Sequence, residues 1–198
     1  MARLISFFFR TALYVAIAIG GGFGSAWLMI HSGSSLTTSV SGPWVAWNQA
    51  GRPDADPYTR AHTVRLGLLP INTTLAWTWH ALNDTDGERL RSSCEYVVEA
   101  DQLDAQWWSL AVFDDSGNLI RNSAERYAFN SATALRDANG TIGVTLSRDA
   151  RPGNWLPTAG AGRITLALTV QDPKWVTQSL EDPGHHRTLP LIRKVACR

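Results

Sequence analysis

The chain has 198 residues, a formal net charge of +1 and only two cysteines. That length suits one ordinary domain plus an appendage, since domains centre on about 100–150 residues. A near-neutral balance with scattered basic residues excludes a nucleic-acid partner, which requires a concentrated excess of Lys and Arg against phosphate.

Residues 11–30 read TALYVAIAIGGGFGSAWLMI, without a charge. A helix needs about 20 such residues to cross a hydrocarbon core. Arg3 and Arg10 precede the stretch, and the next Lys or Arg is Arg52. Positive charge stays on the cytoplasmic side, so residues 1–30 form a cytoplasmic tip and transmembrane anchor, with the bulk of the chain beyond the bilayer. Trp27 suits the outer interface. The competing reading is a secretory signal peptide. Against it, the apolar stretch exceeds a usual signal core, and neither Ser25-Ala26-Trp27 nor His31-Ser32-Gly33 is a good small-x-small cleavage site. Gly20 and Gly24 form a small-xxx-small pair that can draw two membrane helices together, although glycine is common in such helices anyway.

Residues 31–43, HSGSSLTTSVSGP, read as a flexible linker, and residues 44–198 as the folded domain. Asp56-Pro57 starts a short helix over 57–66, with Asp as N-cap, and Gly67 stops it. The apolar period then changes to 2. Residues 75–82 put Leu75, Trp77, Trp79 and Ala81 on one face; 93–99 and 107–114 follow as strands; DDSGN at 114–118 turns the chain into a short Leu119-Ile120 strand. Residues 140–147 align Ile142, Val144 and Leu146, and 163–170 align Ile164, Leu166, Leu168 and Val170. The sum is a mainly β fold, a jelly-roll-like antiparallel β-sandwich preceded by one short helix and the transmembrane helix.

Nine tryptophans help to fix the packing. Trp77 and Trp79 share a face and belong to the core. Trp107 and Trp108 are adjacent, so one points inward and the other outward. Trp44 and Trp47 are placed to cover a sheet face. RPGNWLP, residues 151–157, reads as the loop joining the last two strands. Its Trp155 either folds back to cap the core with its indole N–H on a backbone carbonyl, or walls a groove with Asn154 as polar contact.

In an oxidising compartment Cys94 and Cys197 make one disulfide. It encloses about 100 residues, which the chain-entropy model values at on the order of 4–5 kcal/mol. It also holds the apolar tail Leu189–Ile192 against the sheet. Two cysteines without further ligands at zinc spacing make a zinc site the weaker alternative.

Other chemistry is sparse. Asp114, Asp115 and Asn118 have a calcium-like look, but an EF-hand loop is longer and ends in a bidentate Glu, so a hairpin turn fits better. His185 and His186 are adjacent, which suits one shared ion poorly. Ser109 lacks a G-x-S-x-G context. Arg126 with Asn122 and Asp56 or Arg60 forms either a polar binding cluster or a structural ion pair. No catalytic residue, metal or cofactor is expected.

Three stretches, GPWVAWNQAGRPDADPYTRA, WWSLAVFDDSGNLIRNSAERYAFNS and GNWLPTAGAGRITLAL, together resemble the bacterial domain of unknown function 1214 (DUF1214) in its membrane-anchored alphaproteobacterial form. The resemblance runs from Gly42 to Pro173. Trp107-Trp108-Ser109-Leu110, Asn122, Arg126-Tyr127 and Asn154-Trp155-Leu156-Pro157 carry most of it. It implies a jelly-roll-like sandwich and no mechanism. The chain departs from the family pattern at Leu75, where an acidic residue is expected, and at Thr169 and Gln171 before Pro173, where Arg-x-Tyr-x-Pro is expected. These departures lower the expectation of catalysis.

The resulting expectation is a single-pass bacterial inner-membrane protein, with its N-terminus cytoplasmic and a periplasmic sandwich that binds a partner or ligand. Arg60, Trp108, Asn122, Arg126, Asn154 and Trp155 are the candidate binding residues. The partners are the inner membrane and an envelope protein or second copy, with no nucleic acid. One alternative is an envelope glycan-binding or glycan-processing role; another is a structural subunit of a membrane assembly.

Overall fold

Alternation at period 2 needs a second apolar face to pack on, and the chain supplies one with two facing sheets. The computed structural model describes residues 2–100, 103, 105–172 and 189–197. It begins with α1, Ala2–Ser32, of which Ile5–Ser32 is long and apolar enough to cross a membrane by length and composition. Ile17, Ile19, Phe23 and their neighbours on α1 are exposed and take no part in the core.

The first sheet has six strands in the order β1-β2-β3-β9-β5-β6. These are β1 (Thr38–Ser41), β2 (Trp44–Trp47), β3 (Trp77–Ala81), β9 (Ile164–Gln171), β5 (Trp107–Asp114) and β6 (Ala128–Asn130). The second sheet has four strands in the order β10-β4-β7-β8: β10 (Leu191–Cys197), β4 (Cys94–Ala100), β7 (Ile142–Ser147) and β8 (Asn154–Pro157). The described pairings are antiparallel except for β7 with β8, which run parallel. The mainly β sandwich expected from the alternation is the observed fold, with that one parallel pair added.

The inward residues are the ones the alternation selects. Trp77, Trp79 and Ala81 of β3 and Ile164, Leu166, Leu168 and Val170 of β9 join Tyr96, Val98, Ile142, Val144 and Leu146 of the other sheet in one apolar cluster. Burying a large aliphatic or aromatic side chain contributes about 1.5–3 kcal/mol, so this cluster dominates stability. Leu75 is a correction. It is exposed because the chain turns over Asn72, whose carbonyl accepts the N–H groups of Leu75 and Ala76, and β3 starts only at Trp77.

α2 spans Pro57–Arg65, with Asp56 as its cap; the Asp56 Oδ1 accepts from the N–H groups of Tyr58 (2.9 Å) and Thr59 (3.0 Å). The segment read as a linker is partly folded: Thr38–Ser41 pair with β2 and form the sheet edge, so β structure begins before residue 44. Trp44 is fully buried and not a cover over a face; its Nε1 donates to the Pro190 carbonyl at 2.7 Å. The Leu119-Ile120 strand is reduced to a single bridge between Phe113 and Leu119.

The C-terminal tail docks as β10 on β4, with Ile192 and Leu189 buried. Cys197 lies directly across from Cys94, and the two form a disulfide. DDSGN is a hairpin turn closed by the Asp114 carboxylate, which accepts from the N–H groups of Ser116 and Asn118 at 2.9 Å. His185, His186 and Pro173 lie outside the described residues.

Candidate functional site

The residues that the sequence singles out fall into separate places. Trp108 is a correction: at 1% exposure it is core, and its neighbour Trp107, at 37%, takes the outer position. Buried between sheets, Trp108 is no part of a binding surface. Arg60 stands on α2, where its guanidinium donates to the Pro53 carbonyl. Asp56 is occupied as the helix cap. Neither forms a cluster with Arg126, whose contacts are with Asn122, Phe129 and Trp155.

Asn122, Arg126, Asn154 and Trp155 do come together. β6 is the last strand of the six-stranded sheet and β8 the last of the four-stranded one. Between them the loop after Ile120 is folded by one carboxamide. Asn122 Nδ2 donates to the Ile120 and Arg126 carbonyls, both at 2.9 Å, and its Oδ1 accepts from the Arg126 N–H at 3.0 Å. Glu125 sits in the left-handed region, φ 50°, to complete that tight turn.

The turn throws the Arg126 guanidinium back over two rings. Its carbon lies 5.7 Å from the Phe129 centroid on β6 and 6.0 Å from the Trp155 centroid on β8. Both are cation–π distances. Arg126 therefore spans the open side of the sandwich, from one sheet edge to the other, while remaining exposed.

The motif Asn154-Trp155-Leu156-Pro157 is strand β8 and not a loop. Gly153, with φ 79°, makes the bend before it. Asn154 points inward and is fully engaged: its Oδ1 accepts from the Leu135 N–H at 2.8 Å, and its Nδ2 donates to the Leu135 and Gly143 carbonyls at 2.8 and 2.9 Å. Its role is to pin the 131–136 loop onto the β7–β8 edge. Trp155 is half-buried, and its Nε1 donates to the Ser147 carbonyl at 3.2 Å. The indole N–H is spent on backbone while part of the ring remains accessible beside Arg126. The indole N–H on a backbone carbonyl is the arrangement expected of a capping Trp155, whereas Asn154 is bonded inward and is no polar contact on a groove.

A second polar surface carries no motif in the sequence. A depression of about 350 Å³ is lined by Arg91, Ser92, Ser93, Gly162 and Arg163. Nearby, Asp115 pairs with Arg163 at 2.5 Å and with Arg89 at 3.6 Å. The hydrogen bond from Arg163 holds the Asp115 carboxyl below the usual range. Two guanidiniums, Arg89 and Arg163, share one carboxylate beside Arg91; only the repeated arginines in ERLRSS hinted at it, and their convergence with Arg163 is tertiary.

The third polar group lies where α1 meets the domain. His62 Nδ1 is 2.8 Å from the Ile30 carbonyl oxygen, and Arg65 Nη2 is 2.8 Å from His31 Nδ1. Trp47 stacks on His62 with centroids 4.1 Å apart, and Trp27 stacks on His31 at 4.9 Å. Burial pushes the His62 imidazole below its ordinary value, and burial followed by repulsion from His62 does the same to His80. Gly20 and Gly24 lie on α1 with open space where a Cβ would be. Among the described residues, no group of three His, Cys, Asp or Glu is placed to hold a metal ion.

The family model described as "Protein of unknown function (DUF1214)" matches residues 76–175. The match begins at β3, so β1, β2 and α2 precede it. No curated protein matches the chain. Among solved structures, the VPA0106 protein from Vibrio parahaemolyticus is similar at 19% identity with a TM-score of 0.56, over 72% of this chain and 36% of that one. An uncharacterised protein from Burkholderia cenocepacia is similar at 18% identity with a TM-score of 0.44, over 61% of this chain and 29% of that one. The chain thus spans about a third of the length of these structures. The first likeness supports the fold alone.

Proposed function

Given that the chain belongs to the DUF1214 family, described only as being of unknown function, we propose that it is a single-pass inner-membrane protein whose periplasmic sandwich binds a partner or ligand without catalysing a reaction. The observation that carries this reading is α1. Its apolar side chains face outward and find no protein to cover them, so lipid is their natural solvent. Arg3 and Arg10 before it, and no further Lys or Arg until Arg52, support an orientation with the domain away from the cytoplasm. The Cys94–Cys197 disulfide fits an oxidising compartment. His62 and Arg65 grip the last turn of α1, which favours a retained anchor over a cleaved signal peptide.

The ligand surface that we propose is the shelf formed by Arg126 and Trp155, positioned by Asn122 and Asn154. A guanidinium held over aromatic faces presents a fixed fork of donors suited to carboxylate or phosphate oxygens. Sugar stacking is less well served, because the pair of stacked tryptophans, Trp77 and Trp79, is buried in the core.

The test joins topology to the shelf. A phosphatase reporter fused after Arg198 should be active in intact cells, and the native cysteines should resist alkylation until reduced and denatured. Cross-linking of the full chain in membranes should give a discrete adduct that Arg126→Ala abolishes without lowering the protein level. A silent periplasmic reporter or freely reactive thiols overturn the location; an adduct indifferent to Arg126→Ala overturns the shelf.

A further inference from the structure

We propose that the apolar segment Val64–Ile71 rests in the headgroup layer of the bilayer that α1 crosses, so that the domain is held to the membrane at a second point. This rests on α1 being a membrane span. The segment runs VRLGLLPI from the end of α2. Val64 is 79% exposed and Leu69 99%, and Leu66, Leu68 and Ile71 are exposed as well. Leu36, in the connection leaving α1, is exposed too. Single exposed apolar residues are ordinary on a protein surface, whereas five within eight positions mark an interaction surface.

Position identifies the occupant. The bonds from His62 to Ile30 and from Arg65 to His31 place the end of α2 on the last turn of α1. One turn earlier, Trp27 stacks on His31, and such amphipathic rings favour the membrane–water boundary. The apolar segment therefore starts at the level where the span leaves the hydrocarbon.

Local bonds also fix its course. The Leu68 N–H donates to the Thr63 carbonyl at 2.9 Å, folding the chain back over the end of α2. The Thr73 N–H donates to the Ala50 carbonyl at 3.1 Å, tying the far end to the turn before α2.

Charge points the same way. From Pro57 to Asn72 the chain carries Arg60 and Arg65 and no acidic residue. Apolar side chains bordered by arginine match an interfacial element on an anionic lipid surface. A protein partner has no comparable support, because the segment starts from the end of α2, which is bonded to the last turn of the apolar helix α1.

The disulfide makes a clean test available. Both native cysteines are paired, so one introduced cysteine is the sole free thiol. Full-length Leu69→Cys, Leu135→Cys and Ile17→Cys are each labelled with an environment-sensitive fluorophore in nanodiscs of phosphatidylethanolamine and phosphatidylglycerol. Leu135 serves as the exposed control, at 66% exposure on the β-domain. The expected result is iodide quenching at position 69 at least threefold weaker than at 135, with strong quenching by headgroup-region nitroxide lipid. Equal iodide quenching at 69 and 135, while Ile17 is shielded by lipid, overturns the proposal and leaves the span intact. Shielding at 69 without nitroxide quenching means a protein covers the patch, which also overturns it. Iodide access at Ile17 shows that the span itself fails, and the second contact with it.

Discussion

His62 Nδ1 lies 2.8 Å from the carbonyl oxygen of Ile30, so a side chain of the β-domain is bonded to the last turn of the apolar helix. A carbonyl only accepts, so this nitrogen carries the proton, and the neutral ring has a defined tautomer. The domain thereby holds a set angle to α1, and a titratable group sits at the joint.

That joint gives the first prediction. His62 and His80 both titrate below their ordinary value of 6.5 in the folded protein, mainly because burial disfavours the charged ring. The unfolded chain then binds more protons, so stability rises with pH in that range. The contribution is fully present above pH 6.5 and is lost as pH falls from there through the folded values. Urea unfolding midpoints between pH 7.5 and 5 should fall, and His80→Gln should flatten the dependence. A midpoint that rises on acidification contradicts the assignment.

The Cys94–Cys197 bond closes 103 residues of separation. By the chain-entropy account, the double alanine variant should lose on the order of 4–5 kcal/mol. Equilibrium urea unfolding with and without reductant measures it. Reductant should lower the native midpoint and leave the double variant unchanged.

Trp108 separates packing from hydrogen bonding. Its ring is enclosed, and its Nε1 has no acceptor among the described residues. Trp108→Ala should cost about 3–5 kcal/mol through the cavity it leaves. Trp108→Phe should cost much less, because no hydrogen bond is lost with the indole N–H. Comparable losses for the two variants would mean that the N–H is bonded in solution.

Asn154 and Arg126 should behave oppositely. Asn154→Ala leaves the backbone groups of Leu135 and Gly143 without their partner, at a cost of about 1–3 kcal/mol. Arg126→Ala removes an exposed side chain and should stay within about 0.5 kcal/mol, while abolishing adduct formation at the shelf. Thermal melts beside cross-linking yields distinguish the two.

Local pattern was enough for the central strands, because alternation survives wherever one face is buried. Trp77, Trp79, Leu166 and Leu168 fell where period 2 put them. It failed for β1, β8 and β10. Ser and Thr in Thr38–Ser41 look like linker composition, yet they pair with β2. Gly153 and the prolines around β8 look like turn chemistry, yet the strand runs parallel to β7 through contacts set by Asn154. The shelf was half visible: Asn122, Arg126, Asn154 and Trp155 stood out as residue types, but only the sheet order shows that two edges meet there. The arginine depression depends on Arg163, just before β9, bridging to Arg91, which no local pattern records.

β10 follows every other described strand in the chain, yet with the Pro190 just before it this tail supplies one edge of the four-stranded sheet, the acceptor for Trp44 and one half of the crosslink. The early β2 strand must therefore wait for the last strand before its indole is satisfied. Folding during synthesis can advance no further than a partial sandwich, and the domain closes only after β10 has emerged.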